Sequence, residues 1–576
     1  MARSVQILNA RGEPLSVAQR SAAQRVAAMN IARSTAYQAA GFGHPSTRNW
    51  YAPRVSGQSA VSQSRDVLTA RTRDMVRNDS AMAAGLDKKV NNVVGGGLRL
   101  DADPNFEALG IAPEYREAIV TRIEMLWDEF ANDHGAWIDA ERNGNLVDLL
   151  LLWAHHLEAD GECFLILPWR DEPSPTGFQT CVQTVHPARC SNPLGIMDRA
   201  DLREGVALDA MGAAVGYYFR RAHPGDTFLR GKNQFQWDYF ERDHDDGRPY
   251  VLHAFERNEA GVYRAISKLW SVLRKQMQGE QYFDSELQAA QLNAVMALFI
   301  ETPFDQMELL DSMSPDKFAE HMSAVTEARE TNPISMGGVQ AIPLLPGEKQ
   351  TLAKPEHPNA AFGPFMQQVL RSLASIIGIT YEQLTMDWSQ VNYSSARAAI
   401  LEVAKGFKVC LDRIKQKLLR PLYWAFSQEI HDKGYLDDLI PANDNVPAFE
   451  DAAEAWTRCT WIGAGKGYVD PLKEVQAAGL RIALGLSTLK KECADQGEDY
   501  RRLIQQTASE IALWRAEAER YGLDPNLVPH PAYTGVPASS QLAKSIAANL
   551  TDNGDNDDRS SAQRPAGAVP LVRRAA

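Results

Sequence analysis

The stretch DWSQVNYSSARAAILE, residues 387–402, sets two serine hydroxyls beside a tyrosine and an arginine. A serine nucleophile needs a neighbouring base and a group that stabilises an anion. Arg397 could do the second, but no His or Lys adjoins Ser394 or Ser395, and the first Lys is Lys405, well along the apolar run that follows. The same residues are accounted for as the start of a helix, with a hydroxyl accepting a first-turn N–H and Asn392 ending the loop before it. Ser394 and Ser395 are therefore read as helix-capping residues. Arg397 would sit at the positive end of that helix dipole, which calls for an anionic partner elsewhere in the fold.

Other chemistries find less support. VVGGGLRL, residues 93–100, lacks both the G-x-G-x-x-G spacing and a following Lys-Ser/Thr, and it follows a helical pattern where a nucleotide loop would follow a strand. It reads as a helix stop and a turn. His155 and His156 are adjacent, so they point to different sides of a helix and cannot share one ion as i, i+4 ligands do. Cys181, His186 and Cys190 lie close together, but without C-x-x-C pairs they read as small buried apolar residues. G-x-S-x-G is missing. The sequence thus points to no catalytic residues, no metal and no cofactor.

Composition agrees with a large globular chain. At 576 residues it exceeds the size at which one hydrophobic core stops growing, so several packed regions are expected. Its most apolar helical run, LQAAQLNAVMALFI at 287–300, is too short and too polar to cross a membrane. The six cysteines are scattered singly, as reduced thiols would be. The net charge of −13 is unevenly placed: residues 1–60 hold seven Arg, no Lys and one acid, about +6, leaving the rest near −19. This Arg-, Ala- and Ser-rich arm resembles a mitochondrial transit peptide in composition, and such arms also serve as contacts to acidic partners. An acidic body repels free nucleic acid, yet suits a protein that must let DNA pass without sticking.

Along the chain, helical spacing runs through 64–94, with Asn78-Asp79-Ser80 as a cap between two helices and 95–97 as the stop before a strand. Two amphipathic helices fill 113–160, GECFLILPW reads as a buried strand, and a β-rich stretch extends to about 260, clearest in TCVQTVHPARC and AAVGYYFRRA. Helical pattern returns over 264–300. A short helix around PDKFAEHMSAVTEARE and short strands in PISMGGVQAIPLLPGEKQTL follow, then a helix over 365–378 ended by Gly378. A helix of roughly 25 residues is expected over 394–419, broken or kinked at Pro421. The chain reads as helical again from 447 to 522, and residues 530–576 are too poor in large apolar groups to fold.

Four stretches in this order resemble the lambda-type portal proteins of tailed bacteriophages. They are SRDVLTARTRDMVRNDSAMAAGLDKKVNNVVGGGLRL (64–100), LPGEKQ (345–350), FMQQVLRSLASIIGITYEQLTMDWSQVNYSSARAAILE (365–402) and YVDPLKEVQAAGLRIALGLSTLKKECADQGED (468–499). The resemblance covers about 64–520. ERNEAGVYRAISKL (256–269) departs from it, standing where a Gln-x-Arg-Gly-like turn would be expected.

The resemblance implies a mostly helical α+β portal fold and a ring of about twelve subunits at one capsid vertex. DNA would be driven through its channel by the terminase large subunit and later ejected. Residues 1–63 would be a basic arm, 64–270 the wing, 271–300 and 359–379 the two stem helices, and 301–358 the clip. Residues 380–393 would be the tunnel loop, 394–446 the long wing helix and its return, 447–522 the crown, and 523–576 a disordered tail. Asp387, Trp388, Gln390, Asn392 and Tyr393 are the implied channel contacts, and Asp305, Glu308 and Asp311 the implied clip contacts. Implied partners are further copies of the chain, terminase, major capsid and scaffold proteins, head-completion or tail adaptor proteins, and double-stranded DNA without sequence preference. Assembly in the bacterial host cytoplasm and residence in the virion follow from the same resemblance, with no membrane role. A DNA-binding scaffold or a nuclease of a mobile element is the alternative. The first would bind duplex with steep salt dependence, and the second needs a carboxylate cluster that the sequence does not single out.

Overall fold

The computed structural model describes residues 16, 21–22, 45–226, 235–294, 298–301, 314–331, 349–352, 361–440, 446–463, 465 and 471–523. The chain divides into two compact units, one comprising residues 1–63 with 259–261 and the other the remainder. The described part of the first includes a set of turns at 45–49 and the opening of helix α1, Gly57–Asn78.

The second unit is a mostly helical α+β assembly. Asp79 ends α1 and caps α2 (Ser80–Val94), its carboxylate accepting the N–H groups of Ala81 and Met82 at 2.8 and 3.0 Å. Gly95, at φ 61°, closes α2 as the glycine run predicts. Strand β1 (Arg99–Ala102), the single turn α3 (Phe106–Leu109) and helix α4 (Pro113–Ala131) follow. Helix α5 (Leu146–Ala159) opens on a reciprocal capping box between Asn145 and Asp148. Strand β2 (Glu162–Ile166) is buried along its whole length, centred between β3 (Gln183–Val185) and β8 (Val251–Phe255) in an antiparallel sheet. A second antiparallel sheet runs β4 (Leu202–Arg203), β5 (Val206–Leu208), β6 (Ala214–Arg220), β7 (Trp237–Glu241).

Beyond the sheets come α6 (Trp270–Ala294), β9 (Leu298–Glu301), α7 (Pro315–Thr331), β10 (Lys349–Leu352) and α8 (Phe362–Ile377). A helical pattern is expected through residue 300; the described helix runs to Ala294, and Leu298–Glu301 pairs antiparallel with Lys349–Leu352. A short apolar run has no decisive periodicity of its own, so its distant strand partner settles the conformation. Cys459–Ile462 (β11) behaves alike. It lies where helix is expected, after α12 (Phe449–Trp456), and pairs with β1 in the register Arg99↔Ile462. Helices α13 (Pro471–Ala483), α14 (Leu489–Asp495) and α15 (Tyr500–Arg520) complete the described chain. In chain order before α12 lie a short α9 (Tyr381–Thr385), the long α10 (Tyr393–Ile414) and α11 (Arg420–Asp432).

Pro421 does not break the long helix. One π-helical turn, Lys415–Leu419, carries α10 into α11, with Arg420 N–H reaching back to Lys415 O. Proline cannot donate to the carbonyl four residues before it, so the widened turn falls where the helical ladder is interrupted. The helix thereby delivers Leu422, Tyr423, Phe426 and Ile430 into the main core, where Tyr423 and Phe426 meet Trp127 of α4 edge to face. Each such side chain contributes about 2 kcal/mol of burial. A second core gathers Met75, Met82, Leu273, Leu373, Ile377, Ile379 and Leu384, and a third lies between the sheets around Phe164, Val206, Tyr217 and Phe219.

Candidate functional site

The polar loop is built between two well-terminated helices. Helix α8 ends on Gly378 (φ 86°), whose N–H returns to Ala374 O at 2.8 Å. The chain does not then run as open loop from residue 380. Thr380 and Gln383 form a capping box, each backbone N–H meeting the other's side chain at 3.0 Å, and start α9. Thr-x-x-Gln is a sequence-level helix start, so this turn was open to reading before any fold. Met386 then takes a left-handed conformation, φ 59°, and ends α9.

The irregular part is therefore 386–392. It is tied to itself: Asp387 N–H approaches Thr385 Oγ1 at 3.4 Å, Ser389 N–H donates to Asp387 Oδ1 at 3.0 Å, and Val391 N–H donates to Trp388 O at 3.3 Å. Asp387, Gln390 and Asn392 are exposed and Trp388 is 39% exposed, so the side chains expected to meet DNA are brought to one solvent-facing turn. Hydrogen bonds from the Ser389 hydroxyl and N–H hold the Asp387 carboxyl below its ordinary range, keeping it anionic. Tyr393 is the first residue of α10.

The helix cap differs from expectation. Asn392, and neither Ser394 nor Ser395, is the N-cap of α10: its Oδ1 accepts Ser395 N–H at 2.9 Å. The Ser395 hydroxyl is itself a donor to Asn392 Oδ1 at 2.7 Å. Asn392 takes the cap because its backbone is extended at the helix edge, whereas Ser394 and Ser395 already lie within the first turn. The anionic partner expected for Arg397 is Glu474 of α13, 3.5 Å away. Asp305, Glu308 and Asp311 lie outside the described residues.

The other candidate side chains serve the interior. His156 Nδ1 lies 2.8 Å from Asp160 Oδ2, and Arg73 pairs with the same carboxylate, its Nε 2.6 Å from Oδ1. Burial pushes His186 down to about 3, and its Nδ1 accepts Ala188 N–H. Cys190 is enclosed in the third core and Cys181 faces Pro168 O at 3.5 Å. Among the described residues no His, Cys, Asp and Glu side chains gather in a metal-holding group. No helix among them is long and apolar enough to cross a membrane.

Sequence reading missed the charges inside the fold. Glu162 sits in a fully buried strand with Arg264, His253 and Arg65 around it. Glu429 of α11, also buried, accepts the backbone N–H groups of Gln179 and Thr180 at 2.6 and 2.9 Å. A carboxylate within an otherwise apolar strand signals such a partner, but nothing in the sequence says which arginine answers it.

The described residues define a mostly helical α+β protein that presents an exposed polar turn between two capped helices. A family model described as phage portal protein, lambda family, matches residues 43–410, and the chain belongs to that family. The portal protein of Escherichia phage N15 is 30% identical over 505 residues, covering 86% of this chain and 92% of that protein. Portal protein B of Escherichia phage lambda is 29% identical over 514 residues, covering 88% and 93%. A solved structure of the neck of an empty gene transfer agent particle aligns at a TM-score of 0.42 and 14% identity, covering 80% of this chain and 97% of that one.

Proposed function

We propose that copies of this chain close into a ring of about twelve subunits at one capsid vertex, and that the loop 386–392 faces the double-stranded DNA moving through the ring. The observation that carries this reading is the loop: an exposed polar turn, closed by its own hydrogen bonds, held out between two anchored helices. Such a turn touches a passing duplex without the lysines and arginines that would bind phosphate tightly. At −13 per chain, a dozen copies carry about −150, which weakly repels phosphate throughout the passage.

Ring formation is supported by apolar side chains left outside the cores on several helices. Met277, Phe283 and Leu287 on α6, Leu401 and Val409 on α10, and Leu503, Ile504 and Trp514 on α15 are all exposed. Different patches on one chain suit head-to-tail contacts, which generate rings when the rotation closes. In this reading the region 301–358, with Asp305, Glu308 and Asp311, meets the terminase large subunit and the head-completion or tail adaptor proteins. Capsid and scaffold proteins meet the ring's outside during assembly in the host cytoplasm. In this reading the chain acts as a structural channel, and the Ser395 hydroxyl donates to Asn392 O and Oδ1 at the start of α10.

Electron microscopy and native mass of the purified full chain test the ring: a closed ring with a central hole is expected, and a stable monomer or dimer overturns it. Deleting residues 387–391 tests the loop. Leu384 belongs to the second core, so the deletion must spare it. Rings should persist while packaged DNA is lost or leaks; undiminished packaging would remove the loop from the DNA path.

A further inference from the structure

We infer that Lys88 is a positioning residue for the loop 386–392, fixing the direction in which it leaves the body; this rests on the reading of that loop as DNA-facing. The Lys88 ammonium lies 2.5 Å from Gln383 O and 3.4 Å from Leu384 O. These are carbonyls at the C-terminal end of α9, where a helix runs out of its own N–H donors and where a cation is favoured. The third residue of that last turn is held separately, Thr385 Oγ1 donating to Tyr381 O at 2.9 Å.

The reach of Lys88 depends on close approach of the two segments, and Gly85 supplies it. Residues 85 and 88 lie three apart on α2 and so share a face. A Cβ on Gly85 would stand 2.5 Å from Ile377 Cδ1 and 3.1 Å from Leu384 Cδ1. The end of α8 and the single turn of α9 therefore rest on bare helix backbone, one turn before the ammonium that grips the α9 carbonyls.

Helix α2 also serves the returning limb of the loop. It packs against α10, whose Phe407 contacts both the main and the second core. On a further face, Lys89 pairs with Glu158 of α5 at 2.6 Å. Both limbs thus stand on one helix, whose inner face is buried. Between them Met386 holds a left-handed conformation without being glycine, which persists only where the surroundings over-determine it. Lys88 is the polar part of that determination: its bonds close the turn immediately before Met386, and the loop emerges as a fixed projection.

The test is hydrogen exchange, read by mass spectrometry on the assembled full chain, for peptides spanning 381–391. Lys88→Met should speed exchange there by about tenfold, the equivalent of losing one charged hydrogen bond, with α4 and α11 unchanged. Lys88→Arg, which keeps the cationic donor, should restore slow exchange, and Lys88→Gln should fall between. Unchanged exchange in Lys88→Met, or an arginine variant as fast as the methionine one, overturns the positioning role. DNA retention is measured on the same rings. If exchange responds to Lys88 while neither Lys88→Met nor the 387–391 deletion alters retention, the DNA-facing reading fails and the clamp stands.

Discussion

Arg264 and Glu162 form a charge pair sealed inside the protein. The guanidinium Nε lies 3.0 and 2.9 Å from the two carboxylate oxygens, and Nη2 lies 2.6 Å from Oε1. Neither side chain is more than 1% exposed. The pair ties the first sheet to the segment that follows β3: Arg264 also donates to Cys190 O and Pro187 O, while His253 stacks on Phe164 at 4.0 Å and lies 3.2 Å from Glu162. The Arg264 charge holds the Glu162 carboxyl well below its ordinary range in spite of burial.

Replacing Arg264 with Met should therefore destabilise the fold by about 3–5 kcal/mol, because it strands a buried carboxylate. Denaturant unfolding monitored by tryptophan fluorescence measures this. Adding Glu162→Gln to the same chain should recover part of the loss, since the stranded group is then neutral. A single mutant as stable as the parent would show that water reaches this site.

Asn392 and Ser394 separate by cap energetics. Asn392→Ala should lower stability by about 1 kcal/mol and fray the first turn of α10, whereas Ser394→Ala should change little. Thermal unfolding of the two variants side by side provides the comparison. Equal losses would return the cap to the serines.

Glu124 carries a pH dependence whose sign can be stated. Burial, with the nearby Asp499 and Asp101, lifts its pKa from 4.5 to about 7, against the Ala102 N–H and Arg501. With the folded value raised, its stabilising contribution is fully present below about pH 4.5 and is lost as pH rises through 7. Glu124→Gln keeps an oxygen for Ala102 N–H and removes the titration. The variant should melt higher than the parent at pH 8, with the difference vanishing near pH 4.5. A constant difference across that range would assign the effect to something other than this carboxyl.

Two glycines test close packing against backbone freedom. A Cβ added at Gly161 (φ +86°) would stand 2.5 Å from Ile266 C and 2.6 Å from Ser267 N, so a side chain there requires the backbone to move. Gly110 (φ +71°) faces open space. Gly110→Ala should cost about 1 kcal/mol for its conformation alone, and Gly161→Ala clearly more, measured as the shift in unfolding midpoint.

Much of the helical architecture could be read locally. Asp79 as a cap, Gly95 and Gly378 as stops, and the amphipathic runs of α4 and α5 depend on neighbours within a turn or two, where side-chain type and backbone geometry are directly linked. The Thr380–Gln383 box is equally local, although it lies inside the stretch that the family resemblance presents as loop. The exposed polar turn and its family resemblance were likewise present in the order of residues, as was the need of Arg397 for an anion.

What distance in sequence conceals, only the folded chain decided. Whether Leu298–Glu301 and Cys459–Ile462 became strands depended on partners at Lys349–Leu352 and Arg99–Ala102, because a strand is stable only once its hydrogen bonds are met by another segment. That Glu474 answers Arg397, that Arg264 answers Glu162, and that Lys88 grips the base of the loop are pairings of single charges among many equivalent ones. Composition supplies the charges, and three-dimensional proximity selects the pairs, since electrostatic energy depends on separation and burial and not on position along the chain.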